Sequence, residues 1–251
     1  MRAFLLLMCS IWCLGLLWPG AAVLAIGEPT AVDVREVQVD GRGPARASAT
    51  KRLSWALRQR TSVETVLESG QVRFDDPDLF ESPLVYWSGD EAFPPLSAAE
   101  IAGLRRFVEF GGFVLIDNAA PDRNGFDESV RRALARAFGG AALRPLPDTH
   151  TIFRSFYLIE RPMGRVEGPR QLEAIERGGR AAVVYSRHDL GGAWARDNLG
   201  NYLFPVVPGG TSQREQAFRL GVNLVMYALC LDYKDDQVHS PFIMRRRAGQ
   251  E

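Results

Sequence analysis

Cysteine, histidine and lysine are scarce in this sequence of 251 residues, and each scarcity removes a class of function. Of the three cysteines, Cys9 and Cys13 sit in the first apolar run and only Cys230 lies beyond it. A chain that sheds that run can form no internal disulfide and no zinc site built on thiolates, so its stability must come from a core. Cys230 itself falls near the end of an apolar helical pattern, as a small core residue does. A three-histidine metal site would need His150, His188 and His239 together, and His239 stands in a polar tail, so no metal site is expected. Lysine is represented by Lys51 and Lys234 alone, leaving arginine to carry nearly all the positive charge. Basic and acidic residues number 30 each, which argues against a nucleic-acid surface; Arg245-Arg246-Arg247 reads as a short solvated basic end. Internal repeats and long low-complexity tracts are also lacking.

What is present begins with a targeting pattern. Arg2 supplies a positive start, residues 3–18 are almost wholly apolar, Pro19-Gly20 break the run, and Val23-Leu24-Ala25 end on a small residue. This is the layout of a secretory signal peptide over 1–25, with a retained anchor as the alternative. The run is too short for a comfortable membrane span. Met8 before Cys9 and Trp12 before Cys13 lack the small residues of a lipoprotein cleavage site. The expectation is an exported protein, periplasmic or envelope-associated. Residues 26–251 then form a single α/β domain, with a polar tail at 232–251.

Periodicity organises the remainder. A first strand is expected over 32–39, a small-residue linker over 41–49, a helix over 50–60 with Leu53, Trp55, Ala56 and Leu57 inward, and an alternating strand over 62–67. The clearest unit follows. An apolar strand at 84–87 leads to Ser97-Ala98-Ala99-Glu100, a capping box flanked by Leu96 and Ile101 as a hydrophobic staple. That helix buries Ile101, Leu104, Phe107 and Val108, stops at Gly111-Gly112, and returns as the continuous apolar strand 113–116. Strand, capped helix, glycine stop and strand make a βαβ unit with parallel strands. Further expectations are a turn at Asn124-Gly125, a helix over 128–138 capped by Asp127, a buried strand over 181–186, and a last helix opening on a second capping box, Ser212-Gln213-Arg214-Glu215. The alternation predicts an open, mostly parallel α/β sheet with helices on both faces.

In such sheets ligands lie beyond the carboxyl ends of the strands. Three polar clusters fall there: Ser88-Gly89-Asp90, Asp117-Asn118 and Arg187-His188-Asp189. Each has a bland reading beside a functional one. An EF-hand loop centred on Gly125 fails, because Ala120 and Arg131 occupy positions that need carboxylates. Ser88 has only the second glycine of a nucleophile elbow, so a loop serine bonding backbone amides is the stronger reading. His150 with Asp117 or Asp189 would make an acid–base pair; a histidine tying a loop to the sheet is the plainer account. Arg187 and Asp189 are close enough in sequence for an ion pair, and Trp194 is either a core residue or a stacking wall. Asn223, mid-helix, is expected to bond a neighbouring loop.

Several of these stretches carry a resemblance. Tyr86-Trp87-Ser88-Gly89, the run from Leu104 to Asp117, His150-Thr151-Ile152-Phe153, the run from Arg187 to Trp194 and the run from Leu220 to Leu229 resemble, in order, the bacterial domain of unknown function family 4159. That family is similar in fold to class I glutamine amidotransferase-like domains, a flavodoxin-like layout. The resemblance implies a part in envelope assembly or stress, and partners such as a von Willebrand A-type membrane protein or an AAA-type ATPase. It does not imply glutaminase activity, since that needs a cysteine at a strand–helix elbow and none is there. Residues 111–119 also look like trehalose-utilisation-type domains, except that Asp117 stands where those have a histidine. The reading that results is a non-catalytic module binding a small polar ligand or a protein partner through Ser88, Gly89, Asp90, Asp117, Asn118, Arg187, Asp189 and Trp194. The alternative is a hydrolase using Asp117, His150 and Asp189 with Ser88 or water. Nothing in these motifs calls for a cofactor.

Overall fold

The computed structural model describes residues 31–248, with side chains described as far as Cys230. The expected signal peptide, with Cys9 and Cys13, and the side chains of His239 and Arg245-Arg246-Arg247 lie outside the described residues.

Seven strands form one sheet in the order β2-β1-β3-β4-β7-β6-β5. They are β1 Arg35–Val37, β2 Gln71–Val72, β3 Leu84–Gly89, β4 Phe113–Asn118, β5 Arg144–Pro145, β6 Glu173–Arg177 and β7 Arg180–Ser186. The first five in spatial order pair in parallel. β6 and β5 are added antiparallel. Both outer strands are two residues long, and β5 ends in a proline. The parallel part has the flavodoxin-like order, and its topological switch point falls between β1 and β3.

The helices are α1 Ala49–Arg60, α2 Ala98–Glu109, α3 Gly125–Ala137, α4 Leu190–Trp194 and α5 Gly210–Ala248. Two cores lie on opposite faces of the sheet. Leu84 and Tyr86 of β3 and Phe113 and Leu115 of β4 pack with α1, α4 and α5. Val85, Trp87, Val114 and Ile116 pack with α2 and α3. This follows from the period-2 alternation of a strand covered on both sides. The α2 capping box forms as expected: Ser97 Oγ accepts the Glu100 amide at 3.1 Å, and the Ser97 amide donates to Glu100 at 2.8 Å. Asn223 also behaves as expected, donating to the Ile152 and Tyr157 carbonyls at 2.8 Å each.

Several expected elements differ. Trp55 is 49% exposed, because two residues of helix turn it about 200° from Leu53. The strand expected at 62–67 is a single bridge from Thr65 to Val32. There Thr65 is drawn toward α1, its hydroxyl donating to the Ser54 carbonyl at 2.9 Å. α3 begins earlier than expected, with Asn124 at its N-cap, and Asp127 instead pairs with Arg131 one turn on at 2.9 Å. α5 starts at Gly210, so Ser212 lies inside it, and Gln213 accepts the Gly209 amide at 2.8 Å. The segment expected as a tail continues α5 to Ala248.

Candidate functional site

The strand ends meet as the sequence implies, in registers Ser88↔Asp117, Gly89↔Asn118 and Asp117↔Ser186. Alternation then divides them. Asp117 follows Phe113 and Leu115 to the α1, α4 and α5 side, whereas Asn118 follows Val114 and Ile116 to the other. Asn118 closes its own turn, accepting the Ala120 amide at 2.9 Å and donating to the Tyr185 hydroxyl at 3.2 Å.

Asp117 is fully buried and fully occupied. Its carboxylate accepts the Leu190 amide at 3.0 Å, the Gly191 amide at 2.8 Å and the Tyr86 hydroxyl at 2.8 Å. The first amides of α4 thus end on Asp117, which supplies acceptors that a helix start lacks. The approach depends on Gly191, where a Cβ would stand 2.4 Å from the Tyr86 hydroxyl. Burial and the Asp189 charge push the Asp117 pKa up to about 6, against the pull of the two amides and the tyrosine.

Asp189 completes the α4 start from the other direction. It adopts a left-handed backbone, φ 52°, and accepts the Gly192 amide at 3.0 Å. Its carboxylate is buried between two arginines. Arg46 grips it with two hydrogen bonds of 2.9 Å, and Arg165 adds a third contact. Arg46 also donates to the Ala119 carbonyl at 2.6 Å and lies 4.4 Å from the Phe204 ring centre. Two carboxylates and two guanidiniums therefore balance, with each carboxylate satisfied. The crevice expected at this point is filled by the chain's own loops.

His188 is buried beside this cluster. Its Nε2 is 2.9 Å from the Pro169 carbonyl, an acceptor only, so Nε2 carries the hydrogen. Burial pulls its pKa down to about 4, keeping it neutral.

The β1/β3 end is different. Val37, Val39, Arg42, Ser88, Gly89, Asp90 and Glu91 border a cavity of about 80 Å3 at the switch point, floored by Trp87, Phe93 and Phe126. Ser88 is 5% exposed, and its Oγ accepts the Ala45 amide at 3.1 Å. No histidine bonds it among the described residues. Asp90 is half-buried, with no hydrogen bond to its carboxylate among the described residues. Arg42 and Glu91 pair at 3.2 Å across the mouth. Gly89 is required by close packing, since a Cβ there would stand 2.2 Å from the Phe126 ring.

Three expected site residues do not join either end. His150 accepts the Ile152 amide at 3.2 Å and packs its ring on Tyr227, centres 5.3 Å apart. Tyr227 also touches Phe113, and its hydroxyl accepts the Ala181 amide, so this is the amino end of β4 and β7. Asp117 lies four residues further along β4, about 13 Å away at a strand's rise per residue. Arg187 pairs with Glu173 at 3.6 Å rather than with Asp189. Trp194 is fully buried, its indole N–H donating to the Ala217 carbonyl at 3.0 Å, so it is core and not a stacking wall. Sequence reasoning missed Arg46 and Arg165. The one available signal for Arg46 was that it and Arg42 are the two charged side chains in the otherwise small-residue linker 41–49.

A two-layered helical cover over a β2-β1-β3-β4-β7 parallel sheet, with an open cavity at the switch point, defines a flavodoxin-like α/β domain. The chain belongs to the family described as Domain of unknown function (DUF4159), whose model matches residues 34–229. No curated protein matches the sequence.

Proposed function

We propose that this chain is an exported, non-catalytic α/β module whose ligand seats at the β1/β3 end of the sheet, beside Ser88, Gly89 and Asp90. The observation that carries this reading is the contrast between strand ends: Asp117 and Asp189 are saturated by the chain itself, and Asp90 faces a cavity with its carboxylate unengaged. A small polar molecule with hydrogen-bond donors fits the carboxylates, and its apolar side fits the aromatic floor. A segment of a protein partner is the other form such a ligand takes. The family resemblance supports a von Willebrand A-type membrane protein or an AAA-type ATPase system as that partner, and the apolar start of the sequence supports an envelope location. A hydrolase built on Asp117, His150, Asp189 and Ser88 draws less support, because His150 sits at the opposite end of β4.

The test is a thermal-shift screen of small polyols, sugars and amino acids against wild type, Asp90→Asn and Gly89→Ala. A ligand at a hundredfold its Kd stabilises by about 2.7 kcal/mol. That gain is expected in wild type and lost in both variants, since the new methyl of Gly89→Ala overlaps the Phe126 ring and forces a shift in the cavity lining. A ligand shift of equal size in all three proteins would sink the proposal.

A further inference from the structure

A second cavity, of about 140 Å3, lies between α1, the first turn of α5 and the loop after α4. Its chemistry is unlike that of the strand ends, because four arginines line it: Arg52, Arg60, Arg196 and Arg214. Arg60 is accounted for by a two-pronged bond to Glu215 at 2.9 and 2.8 Å. The other three have no carboxylate partner among the described residues.

Their existing contacts hold them in place without neutralising them. Arg214 is only 7% exposed and donates to the Ala193 carbonyl at 2.5 Å and the Phe204 carbonyl at 2.6 Å. Arg196 donates to the Gly200 carbonyl at 3.2 Å and the Tyr202 hydroxyl at 2.6 Å. Both guanidiniums sit on one ring, 3.7 and 4.1 Å from the Tyr202 centre. Arg52 donates to the Asp197 carbonyl at 3.2 Å, and its Nε–H is buried with no acceptor among the described residues. Burial, with the charge of Arg196, pulls the Arg214 pKa below its ordinary value. Buried cations are ordinarily paired, and an orphaned buried donor signals a missing partner. The first turn of α5 carries no acidic residue, and Thr211 of that turn lines the cavity, so the positive end of the helix adds to the same field.

We propose that this cavity binds a phosphate group, held by Arg52, Arg196 and Arg214, with the rest of the ligand lying over Trp55. Guanidiniums match phosphate oxygens in geometry as well as charge. Trp55 is 49% exposed on the rim, and Leu199 and Leu203, in the same loop as Tyr202, are 88% and 47% exposed. Two sources share this chemistry: a soluble phosphate ester, and the headgroup of an anionic phospholipid with those apolar side chains entering the bilayer surface. The site is independent of the cavity at Gly89 and Asp90.

The experiment titrates inorganic phosphate against wild type at ionic strength matched with chloride, reading Tm and calorimetric binding. Phosphate is expected to raise Tm where chloride does not, with affinity lowered about tenfold or more in Arg52→Gln and in Arg196→Gln. Arg161→Gln, at a 56% exposed side chain outside the cavity, should bind as wild type does. Unliganded Tm values near wild type confirm that the variants fold. A parallel arm floats the protein with phosphatidylglycerol or phosphatidylcholine vesicles. Flotation with phosphatidylglycerol only, lost in Arg52→Gln, assigns the headgroup; phosphate binding without flotation assigns a soluble ester. No phosphate-specific shift in wild type, or an undiminished one in both arginine variants, overturns the proposal.

Discussion

The β4/β7 end and the β1/β3 end of this sheet begin from similar material. Each places an acid at or just past a strand end with a glycine packed close by, Asp117 with Gly191 and Asp90 with Gly89, where open α/β sheets receive ligands. At β4/β7 the acids are consumed: Asp117 caps α4, and Asp189 is gripped by Arg46 and Arg165. At β1/β3 the linker passes over the mouth, its Ala45 amide bonding Ser88, while the Arg42 guanidinium pairs with the exposed Glu91 and with neither Ser88 nor Asp90. The difference is four residues of linker, Arg42 against Arg46, one arginine remaining outside and the other reaching across to a buried carboxylate. Topology marks where binding is feasible, and the reach of the chain's own arginines decides which of those places stays open.

The comparison breaks most visibly at Asp189. Asp189→Ala leaves two guanidiniums without their carboxylate, and breaking a buried pair from one side costs about 3–5 kcal/mol. Urea unfolding should show that loss; one below about 1 kcal/mol would mean that Arg46 and Arg165 are not what closes this end.

A subtler prediction separates the two buried groups there by pH. The Asp117 pKa is raised to about 6 in the folded state, so its contribution is present at low pH and disappears as pH rises through 6. His188 is lowered to about 4, so its contribution is present above about 6.5 and disappears as pH falls through 4. Each shift corresponds to about 3 kcal/mol, and over pH 4–6 they oppose each other. Stability measured from pH 4 to 6 should therefore rise more steeply in Asp117→Asn than in wild type, and fall relative to wild type in His188→Asn. Both variants following the wild-type slope would refute this pairing.

Arg42→Ala marks the quiet end of the scale. Arg42 and Glu91 are 58% and 62% exposed, and such pairs contribute about 0–1 kcal/mol. Unfolding should register almost no change, whereas a loss of several kcal/mol would show that the open end is braced as firmly as the closed one.

Much of the fold was legible because β3, α2 and β4 obey local rules without conflict: apolar strands, a complete capping box and a glycine stop. Legibility failed where tertiary contacts override local preference. Thr65 alternates like a strand residue, yet its hydroxyl answers to Ser54 of α1. β6 went unnoticed because Glu173–Arg177 alternates weakly and draws its stability from pairing with β7 across the Gly178-Gly179 turn. At the strand ends the positions of Ser88, Asp117 and Asp189 were readable, since strand register follows from apolar runs. Their states were not, because Arg46 reaches Asp189 from 143 residues away in sequence, a distance over which no periodicity speaks. The alternative that paired His150 with Asp117 fails for a related reason, since nothing local tells which end of a strand a returning loop will touch; the plainer reading of His150 as a loop anchor fits its bond to the Ile152 amide.

The two outermost strands carry one more consequence. β2 spans two residues, and β5 spans two and ends in Pro145, which has no N–H to offer. Long, flat borders invite a foreign strand to continue the ladder, and this sheet offers none at either margin. A protein that docks here must therefore meet side chains in a hollow or on a helix flank, and its recognition will be written in chemistry rather than in shared backbone hydrogen bonds.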